Sequence, residues 1–307
     1  VAGKTKKPKL LVTGCNGLLG QKVVELAKPQ FWIAGADLQD KPLGSVNEYI
    51  TLDISQQEAV RDAVEKISPT SIVNTAAMTN VDACERERDL AWQVNVEGVR
   101  FLLEASQKTG CSLIQISSDY VFDGEEGPYG EDAPPNPSGY YGLTKMESER
   151  VLVGNQTPWA VVRTNVLYGW ARGVRLNFVL WVRSHLLAGQ YIRTAIDQYG
   201  NPPLADNLAE GVLSIVRAHR QGIYHIAGLD YLSRWAFAMK IADVFKLNKE
   251  LIVPVVSAQL SQRAPRPHWG GLKTDRIVKE QGISMIGVQA GLEILKGQIP
   301  PEQLEVP

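Results

Sequence analysis

A short apolar run, Lys9-Leu10-Leu11-Val12-Thr13, stops at Gly14 and opens into Gly14-x-x-Gly17-x-x-Gly20. The run reads as a buried strand, and residues 17–28, closed by Pro29, read as a helix. Glycines between a strand and a helix have a specific use. Gly14 permits the tight turn, Gly17 lets backbone approach a pyrophosphate, and Gly20 lets the helix pack close on the strand. The helix N-terminus, with Asn16, Leu18 and Leu19 at the turn, then offers unpaired amides and partial positive charge to phosphates. The spacing therefore predicts a dinucleotide-binding start to the chain.

The pattern continues in the same sense. Residues 31–36, 49–52, 71–74, 113–117 and 160–164 repeat the strand signal. Helical stretches separate them at 55–67, 85–108 and 140–153, the first with Ser55 and Glu58 placed as a capping box. Strands alternating with helices and no hairpin signal imply right-handed crossovers and an α/β, doubly wound parallel sheet of the Rossmann kind. Beyond about residue 165 the alternation becomes irregular, with helices expected at 174–188, 207–220 and 233–245 joined by Pro-containing loops. The division read from this is a flexible basic tail over 1–8, an NAD(P)-binding Rossmann domain over 9–165, and a smaller mixed α/β substrate-binding lobe over 166–307, interleaved with the last Rossmann elements.

Asp37 ends the second strand and is placed to accept hydrogen bonds from the adenosine ribose hydroxyls. A carboxylate there favours NAD(H), since it repels a 2′-phosphate, while the nearby Lys41 keeps NADP(H) open. The expected cofactor is NADPH or NADH. Asp53 and Ile54, after the third strand, are expected at the adenine edge, with a surface turn as the alternative for Asp53.

Composition excludes several classes. Among 307 residues, 44% are hydrophobic and 21% charged, ample for a folded core. The formal charge of −1, with lysines 4, 6, 7 and 9 concentrated at the start, argues against nucleic-acid binding by the body. The tail reads as a solvated terminus rather than a nucleic-acid arm. No apolar stretch approaches the roughly 20 residues of a membrane span, and the start lacks the apolar core of a signal peptide, so a cytoplasmic protein is expected. Three cysteines, far apart, make neither a zinc cluster nor a disulfide framework, and no metal site is expected.

Tyr141-Gly142-Leu143-Thr144-Lys145 stacks a phenol and an ammonium on one helical face. An ammonium beside a phenol stabilises phenolate, so Lys145 is expected to lower the Tyr141 pKa and let it pass a proton to a carbonyl oxygen. Upstream, Ser117 and Ser118 end a sheet strand, where doubly wound folds bind ligands. Ser118, Tyr141 and Lys145 beside a dinucleotide site form a proton-relay set for hydride transfer. Glu147 and Glu149 are read as solvating the helix face, and Tyr224 and His225 as core-strand residues.

These residues resemble an extended short-chain dehydrogenase/reductase, within it the dTDP-4-dehydrorhamnose reductase family. The resemblance runs from Lys9 to the mid-290s. Its further marks are Asn74-Thr75-Ala76-Ala77, Asn95-Val96, Ser117 to Gly124, Asp197 to Pro202 and Arg266-Pro267. It implies that Tyr141 protonates the oxygen at sugar C4, that Lys145 also binds the nicotinamide ribose, and that Ser118 bonds the substrate carbonyl. Ala76 and Ala77 are expected to line the cofactor groove, and Asn95 to stand behind it. Thr79, Val81, Asp82, Glu85, Asp119, Tyr120 and Asn177 fall where the family holds the nucleotide-sugar. Arg263 and Arg266, beside prolines, are read as diphosphate binders, with a surface ion pair as the alternative for each. The family's usual pocket aromatic is replaced by Val166; Trp170 and Trp269 are candidates to take its place. The implied state is a monomer or homodimer. Two alternatives stay open: a reductase or epimerase for a different nucleotide-sugar, and a non-catalytic dinucleotide-binding regulator like the methionine adenosyltransferase beta subunit.

Overall fold

The computed structural model describes residues 6–304. Residues 1–5 of the expected tail, Lys4 among them, lie outside the described residues; Lys6, Lys7 and Pro8 are exposed. Six strands come from the first half: β1 (Lys9–Thr13), β2 (Trp32–Asp37), β3 (Glu48–Thr51), β4 (Ser71–Asn74), β5 (Ser112–Ser118) and β6 (Trp159–Thr164). Between them lie α1 (Leu18–Ala27), α2 (Gln57–Ile67), α3 (Val81–Arg86), α4 (Arg88–Trp92), α5 (Gly98–Thr109) and α6 (Tyr140–Leu152). Next come α7 (Phe178–Leu187), β7 (Ile192–Ala195), β8 (Tyr199–Gly200), α8 (Ala205–Arg217), β9 (Gly222–His225), β10 (Leu232–Ser233) and α9 (Arg234–Phe245). The chain continues through β11 (Ile252–Val255), α10 (Asp275–Gln281), α11 (Val288–Gln298) and α12 (Pro301–Leu304).

Seven strands form one sheet in the order β3-β2-β1-β4-β5-β6-β9, every neighbouring pair parallel. The strand order reverses between β1 and β4, which leaves a crevice at their carboxyl ends, where such sheets bind ligands. Alternate residues feed two cores. Leu10 and Val12 pack with Val23 of α1 and Leu208 of α8 on one face. Leu11 and Ile72 pack with Val64 of α2 and Leu102 of α5 on the other. Apolar side chains on both faces explain why these strands read as continuous hydrophobic runs. Tyr224 and His225 of β9 are buried, and burial next to Arg163 drops the His225 pKa to about 3, keeping the ring neutral.

The second lobe has its own core, built by Val182 of α7, Ile192, Phe237 and Ile241 of α9, Ile252 and Leu292 of α11. Its β7 and β11 pair in parallel, and β8 and β10 antiparallel.

Three local expectations are corrected. Ser55 caps no helix: its amide and hydroxyl both donate to Asp53 Oδ1, at 2.9 and 2.7 Å, and α2 begins at Gln57. The stretch 85–108 is not one helix. It breaks at Glu87 and passes through a π-turn at Gln93–Glu97. That turn aims Asn95 inward, where it donates to the Met78 carbonyl (3.1 Å) and Thr144 Oγ1 (3.0 Å). Finally, α7 starts four residues later than expected, because Asn177 caps it by accepting from the Leu180 amide.

Candidate active site

The glycine turn has the geometry the motif requires. Gly14 sits at φ +70°, and a Cβ there would lie 2.6 Å from the Ala76 amide nitrogen. A Cβ on Gly20 would lie 2.2 Å from the Gly14 carbonyl oxygen, so only glycine lets α1 start this close to β1. No side chain caps α1, and its first turn holds no acid. Its leading amides are thus left for an anion, as a pyrophosphate needs. Leu18 is half-buried beside the turn and Leu19 buried beneath it.

Asn16 does more than flank the turn. Its Nδ2 donates to Gln39 Oε1 (3.1 Å) and the Lys41 carbonyl (3.0 Å), and its Oδ1 accepts from the Leu43 amide (2.8 Å). The Asp37 carboxylate accepts from the Asn16 and Leu38 amides, each at 2.9 Å. The segment that would surround the adenosine ribose is therefore stitched to the segment that would hold the phosphates. Ile54 is buried below, and Ala76 and Ala77 are half-buried across the crevice. Asp53 is taken up by the turn into α2.

Ser118, Tyr141 and Lys145 converge at the carboxyl end of β5. Ser118 Oγ donates to Asp119 Oδ1 at 3.2 Å and lies beside the Tyr141 hydroxyl, where it favours the ionised phenol. Tyr141 packs against Cys84 of α3, and Tyr120 meets its ring edge to face. Burial pushes the Tyr141 phenol well above its usual range, the neighbouring Ser118 hydroxyl working against it. This corrects the expectation of a lowered value: at this site desolvation outweighs any pull from Lys145, and Tyr141 is held protonated. Burial lowers the Lys145 ammonium to about 8, against Glu149 and Cys84, which pull it up.

Glu149 does not face solvent. It is 4% exposed and locked to Arg163, 1% exposed, by Nε at 2.9 Å and NH2 at 2.6 Å, and it also accepts from Ser117 Oγ at 2.5 Å. The pair ties α6 to β5 and β6. Glu147 pairs with Arg150 on the outer side of the helix.

The lobe reaches into the same place. Asp119 Oδ2 accepts from Asn165 Nδ2 (2.8 Å) and the Gly271 amide (3.2 Å). Burial raises the Asp119 carboxyl to about 6 despite these donors and the nearby Arg234. Arg234, at the start of α9, lies within electrostatic reach of Tyr120, Asp119 and Arg266. Arg266 pairs with Asp82 at 3.0 Å, and the Ala264 amide donates to the other Asp82 oxygen at 2.9 Å. Two guanidinium groups thus lie within electrostatic reach of each other and of Tyr120.

Other expected substrate residues are engaged within the protein. Glu85 accepts from the Tyr140 amide and pairs with Arg88. Asn177 caps α7 and donates to the Gly169 carbonyl. Thr79 is exposed and Val81 half-buried at the start of α3. Of the two candidate tryptophans, Trp170 packs against the lobe core, while Trp269 is 47% exposed and stacks on Tyr199 at 4.7 Å. Sequence reasoning missed Arg234 and Asn165. Asn165 stood one residue before the altered Val166 position, a usable signal, whereas nothing around Arg234 marks it in one dimension.

The chain was compared with known proteins. The family model described as RmlD substrate binding domain matches residues 8–296. The dTDP-4-dehydrorhamnose reductase of Streptomyces griseus is 35% identical over 277 residues, 88% of this chain and 87% of that protein. The methionine adenosyltransferase 2 subunit beta of Danio rerio is 29% identical, covering 88% of this chain and 84% of that protein. Among solved structures, the dTDP-4-dehydrorhamnose reductase of Bacillus anthracis in complex with NADP superposes with a TM-score of 0.87 at 29% identity, over 95% of this chain and 100% of that one. The chain belongs to the RmlD substrate binding domain family.

Proposed function

We propose that this protein is an NAD(P)H-dependent reductase of the C4 keto group of a nucleotide-linked 6-deoxy sugar, with dTDP-6-deoxy-L-lyxo-4-hexulose as its substrate. The observation that carries the reading is the buried Tyr141 phenol beside Ser118, with Lys145 one turn along the same buried helix face and the start of α1 uncapped. The relatives named as reductases support it.

The bound nicotinamide supplies hydride to the sugar carbon. The protein's part is proton and position. Tyr141, held protonated by burial, gives its proton to the oxygen that gains charge as the carbonyl is reduced. Ser118 Oγ turns its one proton from Asp119 to the same oxygen and aligns it. Lys145, charged below about pH 8, would hold the ribose of the cofactor, and its ammonium compensates the phenolate left on Tyr141. Arg234 and Arg266 hold the diphosphate of the nucleotide-sugar, for guanidinium suits phosphate oxygens. Residues 9–165 would hold the cofactor, and the lobe of 166–307 would cover the sugar nucleotide. Replacing Tyr141 by Phe tests this: turnover should vanish while cofactor binding and folding persist.

A second reading, a dinucleotide-binding regulatory subunit, is favoured by the similarity to the methionine adenosyltransferase beta subunit. It predicts cofactor binding without turnover of any nucleotide-sugar, together with a stable complex with a synthetase partner.

A further inference from the structure

Helix α6 carries both Tyr141 and Lys145, yet its own sequence offers it no cap. Its N-cap residue is Gly139, which has no side chain to accept a hydrogen bond, and its first turn holds no acid. The leading amides of a helix need partners. One comes from another element: Glu85, in the last turn of α3, places Oε1 2.6 Å from the Tyr140 amide nitrogen. The second oxygen is held at 2.9 Å by Arg88, whose guanidinium lies 4.9 Å from the centre of the Tyr140 ring. Glycine at 139 leaves room for this approach; a Cβ there would sit 3.2 Å from Glu85 Oε1 and from Pro265 Cγ.

We propose that Glu85 is a positioning residue for Tyr141, its carboxylate supplying from α3 the cap that fixes the first turn of α6. The inference rests on the proposed function only in taking Tyr141 as the acid. Tyr141 is the second residue of α6, so fraying of the first turn displaces it directly. The next turn is anchored independently, because Asn95 donates to Thr144 Oγ1 at 3.0 Å and Glu149 is locked to Arg163. Loss of the cap therefore moves Tyr141 and leaves Lys145 in place. A carboxylate also suits the positive end of the helix. One turn earlier on α3, Asp82 holds the Ala264 amide and Arg266 of the lobe. The two acids thus tie the lobe's loop and the catalytic helix to one short element.

The test compares Glu85→Ala with Glu85→Gln, which keeps an acceptor oxygen. In Glu85→Ala, kcat falls about tenfold, the scale of a lost helix cap, while KM for the sugar nucleotide and Kd for the reduced cofactor stay within about twofold. Glu85→Gln recovers most of kcat. A rise in KM with kcat retained would make Glu85 a substrate contact and overturn the proposal, as would equal loss in both variants or no loss in either. Amide exchange without substrate gives a second reading: Tyr140 and Leu143 exchange faster in Glu85→Ala, with the last turn of α6 unchanged. Unchanged exchange at Tyr140 also overturns it. Should Glu85→Ala not fold, slower exchange at Tyr140 in wild type than in a folded Glu85→Lys variant decides the same point, and equal exchange refutes the cap. If the wild-type protein turns over no nucleotide-sugar, the functional reading fails, and the exchange comparison still decides the cap.

Discussion

The rings of Tyr120 and Tyr141 meet edge to face, their centroids 5.6 Å apart and their planes at 73°. Tyr120 also lies within electrostatic reach of Arg234 of the lobe. The proposed acid is therefore backed by a ring within reach of the other half of the molecule. Placement of the lobe and placement of the proton donor are one problem in this fold.

Arg234→Ala should expose that link. Losing the guanidinium proposed to hold the diphosphate raises KM for the sugar nucleotide roughly ten- to hundredfold. Cofactor Kd, governed by the distant glycine turn, should not move. Steady-state kinetics with a separate cofactor titration checks both.

The glycine turn separates two effects that are usually confounded. Gly20→Ala forces a Cβ to 2.2 Å from the Gly14 carbonyl oxygen, backbone against backbone, and should cost about 1–3 kcal/mol of stability. At Gly17 the nearest atom to an added Cβ is that same oxygen at 3.2 Å, and the residue is exposed. Gly17→Ala should melt close to wild type yet bind reduced cofactor more weakly. Thermal melts with and without cofactor distinguish them.

Lys145 makes a prediction with a defined pH window. Its folded pKa, about 8, lies below the usual lysine value of 10.5 because burial disfavours the ammonium. Between those values the unfolded chain binds more protons, so this residue's penalty is complete below pH 8 and fades as pH rises to 10.5. Lys145→Met removes the penalty. It should be more stable than wild type by roughly 3 kcal/mol at pH 7, with the difference shrinking between pH 8 and 10.5. Denaturant unfolding of the two proteins across that range reads it directly, and the same variant should be inactive.

Arg163 and Glu149 are buried together, so removing one charge strands the other. Glu149→Leu or Arg163→Met alone should cost about 3–5 kcal/mol, while the double variant should recover much of the loss. A double-mutant cycle in urea measures the coupling.

Much of this was legible in one dimension, for physical reasons that differ by element. The run from Lys9 to Thr13 and the run from Ser71 to Asn74 match their strands residue for residue, since both lie in the middle of a sheet covered on both faces. The Ser118, Tyr141 and Lys145 set was visible because helical spacing and strand ends fix where those side chains can meet. What failed was local competition. Ser55 looked like a cap, but Asp53, two residues earlier, takes its hydroxyl first. Every residue from 85 to 108 tolerates a helix, so nothing in the pattern marks the π-turn that aims Asn95 at Thr144. Glu149 looked solvated because its partner, Arg163, comes from a strand beyond the next loop. The direction of the Tyr141 pKa was misjudged for a related reason: spacing reveals the ammonium but not the burial that overrides it.

The central claim is that Tyr141 is the general acid of a sugar-nucleotide reductase. The most direct measurement follows oxidation of NADPH and of NADH in the presence of enzymatically generated dTDP-4-keto-6-deoxyhexose, for the wild-type protein and for Tyr141→Phe. Oxidation by the wild type that falls by roughly 10²–10⁴ in the variant, with cofactor binding and thermal melting unchanged, is the predicted result. Cofactor binding without oxidation in the wild type, or equal rates in the two proteins, would contradict it.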